Sequence, residues 1–409
     1  MNIAYIANVR LPTEKAHGYQ IMKMCEAFAE SGATIELVVP FRKNEIQSDP
    51  FDYWGIKRNF AVVTIGGNDL MQYKFIPRKV AFLVNALFFV ISAARYIFVH
   101  NNSDIIYTRD REVALLSLFF KRKFVWEVHF LPRAMFAYNF IFERSFLLIT
   151  ITGHLKRFLI ERGVVDKKII VSPDAVDISK FTLVTSKEQL RKELELPQDK
   201  CVILYAGQFL QWKGVDTLTE ASKYLDANYL VVMLGGSDSD IERLSRTKND
   251  NIKFISRVAS DAVPRWLMAA DILVLPNSAR YKISKYYTSP LKLFEYMASG
   301  VPMVASDLPS LREVVSEKEA FFFEPDNSTS LARTIENVVK NKDQARARAA
   351  RARGPHLHLA GGIPGRAGAG GHHPADLACV SCETPIGPCS GARSSSLLSE
   401  SSRCTGLGV

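Results

Sequence analysis

Short apolar runs, each followed by a stretch with helical spacing, alternate along most of this chain, and that alternation leaves few folds open. Residues 2–8 (NIAYIAN) read as a strand and 12–18 as a polar loop. Residues 20–30 read as a helix through Ile21, Met24, Cys25, Phe28 and Ala29, and 34–39 as the next strand. Strand, helix, strand in that order makes a parallel sheet. The pattern continues with strands at 104–108, 124–128, 146–152 and 169–172 and a basic helix at 154–162. It restarts after the polar stretch 179–200, with strands at 201–206, 229–234, 252–255, 271–275, 303–305 and 320–323. Helices at 215–225, 263–269, 308–315 and 329–340 separate them. The expected architecture is α/β, with one domain over 1–178, a second over 179–344, and a cleft between them. At 409 residues, two domains are also the natural prior.

The stretch 288–307 (TSPLKLFEYMASGVPMVASD) concentrates chemical signal. Ser289 is expected as N-cap, with Pro290 in the first helical position, where a missing N–H costs nothing. Leu291, Phe294, Met297 and Ala298 recur at helical spacing; Gly300 ends the helix, and Pro302 blocks its continuation. Such a helix opens with free N–H groups and the positive end of its dipole, a site for phosphate. Glu295 lies roughly 7–8 Å along the axis at about 1.5 Å per residue, the span from a diphosphate to a ribose. The plainer alternative is a buried helix with a surface Glu295 paired to Lys292.

Elsewhere, Lys15 and His17 lie in the loop before the first helix, and Gly18 follows where backbone could approach a ligand closely. Glu127 and His129 share one strand face near its carboxyl end. The loop 207–214 has Gly207 at one end, Gly214 at the other, and Lys213 at its mouth.

A formal charge of +10 implies an anionic partner: nucleic acid, an anionic membrane surface or a phosphorylated small molecule. Nucleic acid is not expected, because the basic residues are not interleaved with aromatics. Cys25 and Cys201 read as reduced core cysteines, and MNIAYIANVR has no basic region before its short apolar run, so a cytoplasmic location is expected. The apolar segment 80–100, interrupted by Asn85, Ser92 and Arg95, reads as a buried or monolayer-facing helix rather than a span. Between 71 and 123 there are nine Lys/Arg against three Asp/Glu, a composition that suits the headgroups of an anionic membrane.

From about Ala345 the character changes: the chain becomes dense in Arg, Ala, Gly and Pro, then polar and low in complexity. Residues 345–409 are expected to be a disordered tail or one translated out of frame. Cys379, Cys382, Cys389 and Cys404 lie there, but the second pair has fourteen residues between its members and no framing element, so zinc is not expected.

Four segments together, in order and over roughly 1–340, resemble the GT-B retaining glycosyltransferases of the glycosyltransferase 4 (group 1) type. They are PTEKAHGYQI (12–21), VSPDAVDISKF (171–181), YAGQFLQWKG (205–214) and SPLKLFEYMASGVPMVASD (289–307). The resemblance implies two Rossmann-like domains facing across a cleft that holds a nucleotide-diphosphate sugar, with no metal required and a glycan or lipid-linked acceptor. It implies that Lys213 contacts the diphosphate and that backbone N–H groups of Leu291 and Lys292 hold the distal phosphate. Glu295 would bind the ribose, Gly18 would make room for the donor, Gly207 would belong to the same donor site, and His129 would sit by the transferred sugar. With the cysteines and the basic, apolar composition of 71–123, the expected location is cytoplasmic, with the inner membrane face as a candidate peripheral site. Four positions depart from the family pattern. Tyr287 stands where a sugar-reading Glu is usual, Gln208 where an Arg is common, and Asp174-Ala175 where the signature is Asn-Gly. A non-catalytic GT-B protein that binds nucleotide-sugar or glycan as a partner subunit is the alternative. An epimerase reading lacks a convincing pair of acid/base carboxylates.

Overall fold

The computed structural model describes residues 1–354 apart from 14, 68, 74, 100–102, 117, 121, 130–137, 183 and 247–248. It contains a seven-stranded and a six-stranded sheet, every strand pair parallel. The first sheet holds β1 (Asn2–Ile6), β2 (Thr34–Pro40), β3 (Ala61–Ile65), β4 (Ile105–Thr108), β5 (Lys123–Val128), β6 (Leu147–Thr150) and β7 (Ile169–Val171). Their order is β3-β2-β1-β4-β5-β6-β7. The second holds β8 (Cys201–Ala206), β9 (Tyr229–Gly236), β10 (Ile252–Ser256), β11 (Ile272–Leu275), β12 (Met303–Ser306) and β13 (Phe321–Phe323), ordered β10-β9-β8-β11-β12-β13.

Helices of the N-terminal unit are α1 (Ala16–Glu30), α2 (Pro50–Trp54), α3 (Arg78–Val99), α4 (Arg111–Leu116), α5 (Asn139–Arg144) and α6 (Gly153–Ile160). Those of the C-terminal unit are α7 (Lys187–Glu193), α8 (Val215–Ala221), α9 (Asp238–Ser245), α10 (Val263–Ala269), α11 (Leu291–Ser299), α12 (Pro309–Arg312), α13 (Ser328–Lys340) and α14 (Lys342–Ala352).

The apolar runs are continuous because both faces of each sheet are covered. In β1, Ile3 and Tyr5 join one core layer while Ala4 and Ile6 join the other. In β8, Val202, Leu204 and Ala206 face one layer, and Ile203 and Tyr205 the opposite one. Two-residue periodicity sends alternate side chains to opposite faces, so a two-sided core needs apolar residues at every position. This is the doubly covered parallel architecture expected from the chain.

Four readings change. Helix α11 starts at Leu291 with Pro290 in the capping position, so Ser289 does not cap it. The helix expected over 308–315 is the short α12, Pro309–Arg312. The edge strand β3 was not among the expected strands, although its run AVVTI, closed by Gly66-Gly67, fits one. The tail also begins later than expected. Residues 345–352 belong to α14, whose Ala345, Ala349 and Ala352 are buried at helical spacing. Residues 355–409, with their cysteines, lie outside the described residues.

Burying three alanine methyls at about 0.8 kcal/mol each makes α14 worth roughly 2 kcal/mol to the C-terminal unit. A chain ending after Asn341 should therefore melt about 4 °C or more below one ending after Gly354, measured by calorimetry. Equal melting temperatures would show that α14 adds nothing.

Candidate functional site

In each sheet the strand order reverses once, between β1 and β4 and between β8 and β11. Loops leaving the carboxyl ends of those neighbouring strands diverge and open a crevice, the usual ligand site of open α/β sheets. The two crevices meet. Lys23 on α1 forms a 3.1 Å ion pair with Asp177 of the interdomain segment, and Gln20 Nε2 donates to Asp174 Oδ1 at 2.7 Å. Lys180 lies over the Tyr19 ring at 4.2 Å.

On the C-terminal side, β8 runs into the loop 207–214. Gly214 has φ +67°, and a Cβ there would fall 1.8 Å from the Pro276 carbonyl oxygen, so the loop packs backbone to backbone against the end of β11. Ser278 N donates to Trp212 O at 3.0 Å across the same contact. This clamp presents Lys213, whose pKa burial lowers to about 8. Gly207, at φ +140°, lies against the Lys292 side chain, which fills the volume a Cβ would need. Lys292 Nζ donates to Tyr205 OH at 2.6 Å, so the side chain turns away from an i,i+3 pair with Glu295. Burial, then Lys213, pushes the Lys292 ammonium well below its usual pKa.

Leu291 and Lys292 open α11, and their N–H groups lack a carbonyl four residues back within the helix. Ser289 Oγ instead accepts from Asp174 N at 3.0 Å, tying the helix start to the interdomain segment. Burial raises the Glu295 carboxyl to about 7, against the pull of Lys292 and Lys180. Gly207, Lys213, Leu291, Lys292 and Glu295 thus share one wall of the cleft.

On the N-terminal side, His129 directly follows β5 and bonds Glu127 Oε1 through Nε2 at 2.7 Å. Glu127 Oε2 accepts from Arg109 Nε at 3.0 Å and from Tyr107 OH at 2.5 Å. Burial pushes the Glu127 carboxyl up, but Arg109 and His129 outweigh it and hold its pKa well below the ordinary range. Arg109 reaches on to Gln20 Oε1 at 3.4 Å. Polar contacts therefore run from His129 through Glu127, Arg109, Gln20 and Asp174 to Ser289 at the start of α11. Asp174, in the place of the family Asn, is pushed up to about 6 by burial, opposed by His129 and Arg109. His17 faces Arg109 and His129, and burial, then Lys15, lowers its pKa.

Gly18 lies inside α1, and the volume a Cβ would take belongs to Thr13 and Trp54. Its small size therefore serves packing within the N-terminal unit. Arg109, Gln20 and Tyr205 were missed as site residues. The signal for Arg109 was its position, a charged residue directly after a buried strand. Tyr287 belongs to a π-helical turn, Ile283–Tyr287, and meets Phe158 of α6 edge-on at 6.4 Å. Thr152 Oγ1 donates to Tyr286 O at 3.3 Å, and Gly153 N to Glu313 Oε2 at 2.8 Å, so this face clasps the two units together.

Residues 186–354 match the family model Glycosyl transferases group 1. The C-terminal unit is a group 1 glycosyl transferase domain. The two sheets together are the GT-B fold. Among relatives of this glycosyl transferase domain is the putative teichuronic acid biosynthesis glycosyltransferase TuaC of Bacillus subtilis, 26% identical over 40% of each chain. Another is the D-inositol 3-phosphate glycosyltransferase of Xylanimonas cellulosilytica, 30% identical over 36% of this chain and 37% of the relative. The matched segments thus span about two fifths of these relatives. Anabaena HepE in complex with UDP and glucose superimposes with TM-score 0.68 at 16% identity, over 88% of this chain and 96% of HepE. Sucrose-phosphate synthase from Thermosynechococcus elongatus gives 0.69 at 18% identity, over 88% and 95%.

A carboxylate with a depressed pKa stabilises the fold above its unfolded value, about 4.3, and that stability drains away as pH falls toward the folded value. Replacing Arg109 by Ala leaves Glu127 buried without its cation. R109A should lose about 3–5 kcal/mol at pH 7 and unfold at a higher pH than the parent on acid titration. An unchanged acid midpoint would mean that the pair does not hold Glu127 ionised.

Proposed function

We propose that the protein is a retaining glycosyltransferase. It moves a sugar from a nucleotide-diphosphate donor to a cell-envelope polysaccharide, lipid-linked or other glycan acceptor. The observation that carries this is the cleft wall in which Lys213, the open end of α11 and Glu295 stand together at a strand-order reversal. The group 1 domain and the names of its relatives support the same reading. HepE, solved with UDP and glucose, supports a uridine diphosphate sugar as the first donor to test.

In this reading the diphosphate sits against the N–H groups of Leu291 and Lys292, and Lys213 neutralises its developing charge. Positive charge and dipoles already in place stabilise the departing diphosphate without reorganisation, and no metal is required of them. Glu295 accepts from the ribose hydroxyls. His129, oriented by Glu127, borders the transferred sugar, and Gly207 borders the donor. A ligand-binding partner subunit without turnover is the alternative. It is favoured by Tyr287, which packs on Phe158 rather than standing free to read a sugar. Donor binding with neither transfer nor hydrolysis would select it.

Lys213→Ala should lower kcat/KM for sugar transfer about a hundredfold or more, and Glu295→Ala should act mainly through KM. Unchanged turnover in both variants would reject the site. Glu295 must be ionised and Lys213 protonated, with pKa values of about 7 and about 8 in the free protein. The pH profile of kcat/KM should therefore be bell-shaped with its maximum between them, and Glu295→Gln should flatten the acid limb.

A further inference from the structure

Among the described residues, α3 is the one helix long and apolar enough to cross a membrane, yet it is packed on the domain along one stripe. Ala81, Asn85, Phe89, Ala93, Tyr96 and Ile97 are buried. Two polar contacts pin that stripe. Tyr96 OH bonds Glu36 of β2, and Asn85 Oδ1 accepts from Leu70 N at 3.1 Å. The opposite stripe is bare: Leu83, Leu87, Ile91 and Phe98 are each 55–67% exposed. Phe75 and Phe119 of the same unit are also bare, 82% and 76% exposed. An apolar surface of this extent marks an interaction site.

Charge identifies the occupant. Helix α3 carries Arg78, Lys79 and Arg95 and no carboxylate. Arg95 is exposed and lies on the bare stripe between Ile91 and Phe98. A second copy of this face would bury Arg95 against apolar side chains with no acid to meet it, at a large cost. A lipid surface instead lets its stem lie among acyl chains while the guanidinium reaches headgroup phosphates.

We propose that α3 docks in plane on the surface of an anionic lipid bilayer, inserting the stripe Leu83, Leu87, Ile91 and Phe98 while Arg78, Lys79 and Arg95 pair with headgroups. The helix lies on the bilayer rather than across it, because spanning would tear the buried stripe from β2 and β3. Ser92 sits level with Gly66, just past the carboxyl end of β3. Phe89 still shares a core cluster with Ile6 and Val38 near the carboxyl ends of β1 and β2, so residues 78–88 run on about 15 Å past the sheet, on the side where the cleft opens, at about 1.5 Å per residue. Docking along this overhang sets the cleft mouth beside the bilayer. The docking itself is independent of the transfer reaction.

The test is co-sedimentation of the full chain with vesicles of phosphatidylcholine alone or containing phosphatidylglycerol. Three cations at the surface should make binding to the anionic vesicles tighter on the order of a hundredfold at low salt, with most of the difference lost in high salt. Leu87→Glu with Ile91→Glu, and separately Arg78→Glu with Lys79→Glu and Arg95→Glu, should each weaken binding at least about tenfold while circular dichroism stays unchanged. Leu83→Trp, which leaves the face apolar, should be quenched by lipids brominated near the headgroup. Equal sedimentation with both vesicle types, binding unchanged in both charge-altered chains, or quenching only from the bilayer centre would overturn the proposal. So would a dimer in analytical ultracentrifugation that is lost in the Leu87→Glu, Ile91→Glu chain without any vesicle binding.

Discussion

A parallel sheet covered on both faces has only its strand ends left for chemistry. Every other feature of this molecule follows from that constraint. The apolar runs must be continuous, and the helices must lie outside them. Polar residues collect where chains leave the carboxyl ends. At each reversal of strand order two such exits part, and the protein places its two reversals so that they face one another. The cleft is thus a consequence of burying two sheets, and its chemistry was assigned to residues the core could not use.

Two kinds of buried charge line that cleft, and the contrast between them separates frame from function. Glu127 is answered within the protein by Arg109, Tyr107 and His129, and is held ionised. That group orients and does not wait for a ligand. Lys213, Lys292 and Glu295 are answered poorly: burial drives both lysines down and the carboxylate up, toward their neutral forms. Under the proposed reading a diphosphate would restore the charge of the two lysines, which burial alone disfavours. The clasp of Glu313 and Tyr287 on α6 holds the two walls at working distance.

Much of this could be read along the chain. Parallel sheets were legible from runs such as CVILYA, because an unbroken apolar run has no solvent face. The open helix end was legible from Ser289-Pro290 and the periodic residues after it, though the cap fell one residue later. Strand β3 carries the same kind of signal, the short run AVVTI closed by Gly66-Gly67, and stands at the sheet edge with no residue fully buried. Helix α14 was hidden because its buried face is made of alanines, which carry little hydrophobic contrast against arginine-rich surroundings. Arg109 and Gln20 were invisible as site residues, because their partners Glu127 and Asp174 stand 18 and 154 positions away.

Local sequence determined which residues carry charge, where helices open and where backbone must turn: the N–H groups at Leu291, the cation at Lys213, the carboxylate at Glu295. These are properties of residue type and near neighbours, set by covalent geometry and periodicity. Tertiary structure alone decided that Lys292 would fold back onto Tyr205 and that Ser289 would serve Asp174 instead of its own helix. It also decided that Tyr287 would bind α6 and that one stripe of α3 would be left bare. Each of these is a choice between competing partners, and the winner is whichever group the packing of two sheets brings within contact distance.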